Sequence, residues 1–286
     1  MNLYNKIFFR FDKFQQSHMI LSFPIAIFKK YGDDEAGNQA ALITYFGFVS
    51  LFPLLLVFFS ILKKVTFNNK ELENRIIGGV LHYFPGASQQ IVQNIHGYQK
   101  NGLSLIFGLI IAIYGARGIT SAFQNASNKL WQIPKEDRPD FWHSTARSFG
   151  IIFLGGGGII ITTLILSFTN NIFHKGIFIK FIVTLFTLLL NILVFTLIFR
   201  LATVKSVKTR WLMNGAIVAA IFWQILQFIG SYLILNHLRT TSEFYGIFAV
   251  VLGMLFWIYL QAEVTIYAIE LNVVRTKKLW PQKLVN

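Results

Sequence analysis

The chain has no cysteine in its 286 residues, which excludes disulfides, thiolate nucleophiles and cysteine-ligated metals. Acids are also scarce: 12 Asp and Glu stand against 26 Lys and Arg, and charged residues make up 13% of the chain. An ordinary soluble domain carries about one quarter charged residues. So little charge cannot cover a globule that is 54% hydrophobic and includes 30 Phe, 10 Tyr and 6 Trp. Much of the surface must therefore meet lipid. Catalytic signatures are missing as well. The six histidines, His18, His82, His96, His143, His174 and His237, are scattered singly, without the close spacing that holds a metal from one element. No G-x-S-x-G occurs, and the run Gly155, Gly156, Gly157, Gly158 is not followed by the Lys and Ser or Thr of a phosphate loop. These absences point away from an enzyme and imply no cofactor and no metal.

What is present is a series of six long apolar segments, 37–62, 102–123, 148–169, 176–199, 211–235 and 244–274. Each meets or approaches the roughly 20 residues that carry a helix across a bilayer core of about 30 Å. Only helices satisfy every backbone group there. The expected fold is all-α: one polytopic membrane domain, residues 1–286, with six transmembrane helices. Segment 1–36 interleaves bases with aromatics, and its apolar run 19–28 contains Pro24 and is too short to span. Lys29 and Lys30 follow it without a small-residue cleavage pattern, so an interfacial helix is expected rather than a secretory signal. The connection 63–101 carries apolar residues three and four apart, which predicts short amphipathic helices on the outer surface. The tail 276–286 is basic.

A net charge of +14 would suggest nucleic acid in a soluble protein, but here the bases gather between apolar runs. That is the pattern of membrane topology, so nucleic acid is not an expected partner. Six crossings put both ends on one side. With that arrangement 17 of the 26 bases fall on the side of the termini, which places both in the cytoplasm.

Polar groups inside the apolar segments are the candidate functional residues. Asn191, Gln224 and Gln227 read either as interhelical hydrogen bonds, worth about 1 kcal/mol each, or as part of a substrate path. Gly215 with Ala219, and Ala216 with Ala220, give the fifth segment a small-residue face for close packing. Pro53, in SLFPLLL, removes a backbone donor and predicts a kink, with the Ser50 hydroxyl serving the loosened turn. The four glycines 155–158 permit either close packing or a hinge. Glu263 and Glu270 are seven residues apart on one helical face, and the rise per residue puts Glu263 roughly 28 Å from Phe244, near the inner boundary. Arg117 and Arg200 fall at a similar level. Two readings fit this belt: a ring of structural ion pairs and snorkelling arginines, or the wall of a cytoplasm-open cavity that receives an anionic head group on Arg117 and Arg200.

Three blocks also carry a resemblance. GNQAALITYFGFVSLFPLLL, FQNASNKLWQIPKEDRPDFW and FYGIFAVVLGMLFWIYLQAEVTIYAIELNVVR resemble the YihY/BrkB family of bacterial inner-membrane proteins over nearly the whole chain. The family's patterns fall on Ser50, Leu51 and Pro53, then on Asn128, Trp131, Pro134 and Arg138, then on Tyr245, Gly246, Trp257, Tyr259, Glu270, Leu271 and Asn272. One departure is Tyr267, Ala268 and Ile269, where the family pattern has Leu-Gly-Ala. The resemblance implies a six-helix inner-membrane protein connected with envelope integrity, and adds Asn128 and Asn272 to the polar cluster. It suggests lipids as partners, with movement of an anionic lipid or lipopolysaccharide precursor proposed for some members. A non-transporting scaffold is the alternative. The family has also carried a ribonuclease label, but a metal-dependent nuclease needs clustered histidines and aspartates, and the sequence offers none.

Overall fold

The computed structural model describes residues 12, 14–65, 102–170, 177–204, 206–233 and 239–282. Seven α-helices follow in order: α1 (Met19–Asp33), α2 (Ala36–Val65), α3 (Gly102–Leu130), α4 (Phe141–Asn170), α5 (Ile177–Ala202), α6 (Thr209–Leu233) and α7 (Arg239–Lys277). A 3-10 turn, Lys135–Asp137, links α3 to α4, and no strand occurs among the described residues. Over the described residues each of the six apolar segments falls in one continuous helix, α2 to α7. Over the described residues α4, α5, α6 and α7 are long and apolar enough to cross a membrane. The short helices expected within 63–101 lie outside the described residues, apart from the end of α2.

Local chemistry sets the helix ends. α3 stops in a left-handed turn at Gln132, φ 57°, with Ile133 N–H donating to Asn128 O at 2.9 Å and Gln132 N–H to Lys129 O at 2.8 Å. Pro134 then prevents continuation. Glu35 after α1 and Lys278 after α7 hold the same left-handed conformation, at φ 51° and 53°. Asp140 starts α4: its carboxylate accepts the His143 backbone N–H at 3.3 Å and also bonds the His143 ring. The bond to His143 holds the Asp140 carboxyl below its ordinary range.

The helices close a ring in chain order. α2 packs on α3, α3 on α4, α4 on α5, α5 on α6, α6 on α7 and α7 back on α2, while α1 lies against α2 and α7. Glycines set the tightest approaches. A Cβ on Gly115 would stand 2.5 Å from Ser50 Cβ, and one on Gly215 would stand 2.1 Å from the Ala268 carbonyl oxygen. Ala216, Ala219 and Ala220 are fully buried beside Gly215, so the small-residue face of α6 is its packing face. The outward faces carry Phe153, Phe178 and Phe228, each more than 70% exposed. Apolar side chains on the outside are stable in hydrocarbon and costly in water.

Two segments singled out in the sequence gain detail here. α2 runs unbroken through Pro53 to Val65, and the Ser50 hydroxyl donates to Gly47 O at 3.1 Å. The hydroxyl thus bonds one turn before the proline. The four glycines do not act together either. Gly158 meets Val194 of α5 closely, Gly155 stands in ordinary contact with Ile198, and Gly156 and Gly157 have no neighbour within 4 Å. Consecutive residues turn by about 100° in a helix, so only the first and last of the run face the adjoining helix.

Candidate functional site

The ring surrounds a chamber of about 360 Å³ to which all six long helices contribute. Its walls are mostly apolar, with Phe123, Ile151, Phe195, Ile198 and Trp223 among them. The polar exceptions are Ser50, Thr120, Thr162, Asn191, Gln261 and Thr265. Three of these already serve their own helices: Ser50 Oγ donates to Gly47 O at 3.1 Å, Thr120 Oγ1 to Ala116 O at 3.0 Å and Thr265 Oγ1 to Gln261 O at 2.8 Å. Thr162 is buried with no hydrogen-bond partner at Oγ1. An aromatic chain runs along the chamber, from Phe123 to Phe199 to Phe195 to Trp223, with ring centroids 5.8 to 6.2 Å apart; Phe123, Phe195 and Trp223 line the wall. An apolar wall with a few polar groups on it is the usual make-up of a small-molecule pocket.

At the C-terminus of α3 lies a belt of charge, part of it buried. Lys30 of α1, 4% exposed, stands 3.0 Å from Glu270 Oε2 of α7, which is wholly buried. Lys30 also bonds Asp34 and donates to Leu130 O at 3.2 Å. Lys277 donates to Trp131 O at 3.0 Å and to Gln132 Oε1 at 2.9 Å. Two ammonium groups thus occupy the unpaired carbonyl end of α3, where the helix dipole favours cations. A second link ties the same elements together. Tyr31 O–H shares its proton between both oxygens of Glu263, at 2.6 and 2.7 Å, and its ring stacks on Tyr267 at 4.3 Å. Burial, then the Glu263 hydrogen bond and charge, push the Tyr31 phenol well above its ordinary range, so Tyr31 remains a proton donor.

The expected site residues separate on this frame. Asn191 lines the chamber, as do Gly155 and Gly158 of the glycine run. Arg117, Arg200 and Glu263 do not line it. Arg117 lies 4.1 Å over the Phe141 ring, and Arg200 Nη1 donates to Val207 O at 2.6 Å. The partners of Glu263 and Glu270 are therefore Tyr31 and Lys30, not the two arginines. Gln224 and Gln227 are half-buried on α6, away from the chamber wall. Asn128 is buried and its Oδ1 has no hydrogen-bond partner, while its carbonyl closes the α3 cap. Asn272 clamps α6: its Oδ1 accepts Gly215 N–H at 2.7 Å and its Nδ2 donates to Leu212 O at 3.1 Å.

Sequence reasoning missed Lys30, Tyr31 and Asp34. They sit in an amphipathic segment read as interfacial, where bases are ordinary, and nothing local marks Lys30 as buried. The spacing of Lys30 and Asp34, one helical turn, was the available signal. Among the described residues, no group of three or more His, Asp or Glu side chains could hold a metal ion.

An all-helical chain with lipid-ready outer faces and several helices long enough to span defines a polytopic membrane protein. The profile of the family described as Virulence factor BrkB matches residues 27–283, and the chain belongs to that family. It is 22% identical over 272 residues to a Bacillus subtilis (strain 168) protein named "Putative ribonuclease-like protein YfkH", covering 90% of this chain and 96% of that one. It is 23% identical over 260 residues to the Escherichia coli (strain K12) "Inner membrane protein YhjD", covering 82% and 75%. A "UPF0761 membrane protein NTHI0384" from Haemophilus influenzae (strain 86-028NP) is 24% identical over 258 residues, covering 87% and 93%. Two of these names describe membrane proteins and the third a ribonuclease-like protein. No solved structure matches the chain.

Proposed function

We propose that this protein handles lipid: the chamber holds the hydrocarbon part of an amphipathic molecule, and the protein moves or presents that molecule between membrane regions. The observation that carries the reading is the chamber itself, apolar on most of its wall yet built from all six long helices. In this reading the six helices cross the membrane, and the charged belt and both termini face the cytoplasm. An acyl chain suits the wall, because burying it removes apolar surface from water at about 25 cal/mol per Å² without demanding polar partners. Asn191, Thr162 and Gln261 then orient whatever polar part enters.

Reconstitution of the purified chain into liposomes with fluorescent phospholipids tests this. Leaflet exchange should exceed that of protein-free liposomes, and Gly155→Leu should reduce it at least fivefold. Gly155 lines the chamber and a Cβ there meets only Ile198 at 3.9 Å, so a larger side chain extends into open space. Exchange no faster than the protein-free rate removes the transport reading.

One observation favours a second reading, a non-transporting scaffold. The charges expected on a transport pathway, Arg117, Arg200 and Glu263, lie off the chamber wall, and Glu270 and Asn272 tie α7 to α1 and α6. A scaffold predicts that Gly155→Leu leaves the cellular phenotype of a deletion strain fully complemented.

A further inference from the structure

We propose that the guanidinium groups of Arg147 and Arg200 form a binding site for an anionic phosphoryl group where α4 meets the end of α5, beside the carbonyls of Thr203, Val204 and Val207. Arg147 Nη1 donates to Thr203 O at 3.3 Å. Arg200 Nη1 donates to Val207 O at 2.6 Å and Val204 O at 3.4 Å. Both side chains therefore reach the same short connection, from two different helices. Each uses a single nitrogen on backbone carbonyls. Among the described residues the Nε and Nη2 edges of both have no protein partner, and no carboxylate pairs with either.

Both guanidinium groups are held beside the carbonyls that follow α5, where the two like charges disfavour each other. An oxyanion bound by both offsets that repulsion. Phosphoryl oxygens match the geometry, because guanidinium presents paired N–H donors in a plane and binds two oxygens at once. Lys208, on the same connection with its ammonium 5.7 Å from the Trp211 ring centroid, adds a third positive charge.

Two features favour a membrane lipid as the source of that group over a soluble phosphate. Arg147 begins the α4 stripe that continues as Ile151, Gly155, Gly158 and Thr162 along the chamber wall, one helical turn away. Five residues before it, Trp142 is 76% exposed, as aromatic side chains are at the head-group level of a bilayer. The proposal deepens the lipid-handling reading and rests on it for the lipid source.

The test uses the full chain in nanodiscs that mix phosphatidylglycerol with phosphatidylcholine, with retained lipid counted by native mass spectrometry. The wild type and Arg275→Gln, a control that removes an exposed charge from α7, should retain phosphatidylglycerol preferentially. The double variant R147Q/R200Q should weaken that retention at least tenfold. Retention in R147Q/R200Q equal to wild type, or no preference in the wild type, overturns the proposal. If the double Gln variant does not fold, R147K/R200K keeps the charge but loses the two-point contact, and undiminished retention there overturns the proposal equally. Millimolar inorganic phosphate is added as a competitor: failure to displace the lipid supports a lipid ligand, and full displacement of it assigns the site to soluble phosphate and overturns the lipid source. Leaflet exchange on the same samples separates this site from the transport reading. A protein that moves no lipid but loses phosphatidylglycerol through R147Q/R200Q keeps the site and discards transport.

Discussion

Glu270 is wholly buried inside the bundle with Lys30 3.0 Å away, and Lys30 in turn caps the carbonyl end of α3. Removing one partner of a buried pair leaves an uncompensated charge, which costs about 3–5 kcal/mol, whereas replacing both with apolar groups can be nearly neutral. Lys30→Met should therefore lower the thermal unfolding temperature in detergent markedly, and K30M/E270M should recover most of the loss. A double variant less stable than Lys30→Met would show that the pair is not the relevant interaction. Tyr31 makes a second, separable link. Tyr31→Phe removes a hydrogen bond to a charged acceptor, worth about 1.5–3 kcal/mol, and keeps the stacking on Tyr267. Asp140 acts at the start of α4 with a depressed carboxyl pKa. Its contribution is therefore present at neutral pH and is lost as pH falls through the acid range.

Among the helices, glycines that look alike in the sequence have opposite roles. Gly215 lets α6 lie against α7 so closely that a methyl group would overlap the Ala268 carbonyl oxygen. Gly156 faces outward with nothing within 4 Å. Gly215→Ala should cost about 1–3 kcal/mol through overpacking, and Gly156→Ala should be neutral or stabilising by about 0.5–1 kcal/mol, since alanine is the better helix former. Parallel unfolding curves of the two variants check the contrast. Asn272 pins the same contact from the other side, so G215A and N272A should be less than additive, as coupled neighbours are. The three family blocks read structurally as fasteners. Asn128, Trp131 and Arg138 build and brace the α3 cap, where the Arg138 Nη2 group donates to Ile133 O at 3.1 Å. Trp257 packs against Gly230, and Glu270 and Asn272 point to different neighbouring helices.

For the molecule as a whole, orientation is the property most open to measurement. With no native cysteine, single substitutions report sidedness without background. Ser17→Cys and Lys278→Cys, both exposed, should react with a membrane-impermeant maleimide only after inverted vesicles present the cytoplasmic face. Labelling of either one in intact spheroplasts would contradict the positive-inside placement. The exposed apolar faces, with Phe153, Phe178 and Phe228 outermost, require extraction in detergent, and transfer to water without it should aggregate the chain.

The helical class, the six segments and the small-residue face of α6 were legible from composition and spacing, because hydrocarbon demands long apolar helices and a close helix contact demands small side chains. That Glu263 and Glu270 share one helical face followed from their spacing of seven residues. Their partners did not. Which base meets which acid depends on how helices are ordered around the ring, and that order placed α1, with Lys30 and Tyr31, against α7. The chamber was equally invisible in the chain, since its wall takes residues from six helices and no single segment carries its pattern. Rise and periodicity are properties of one helix, whereas pairing and enclosure are properties of several, and only packing brings those together.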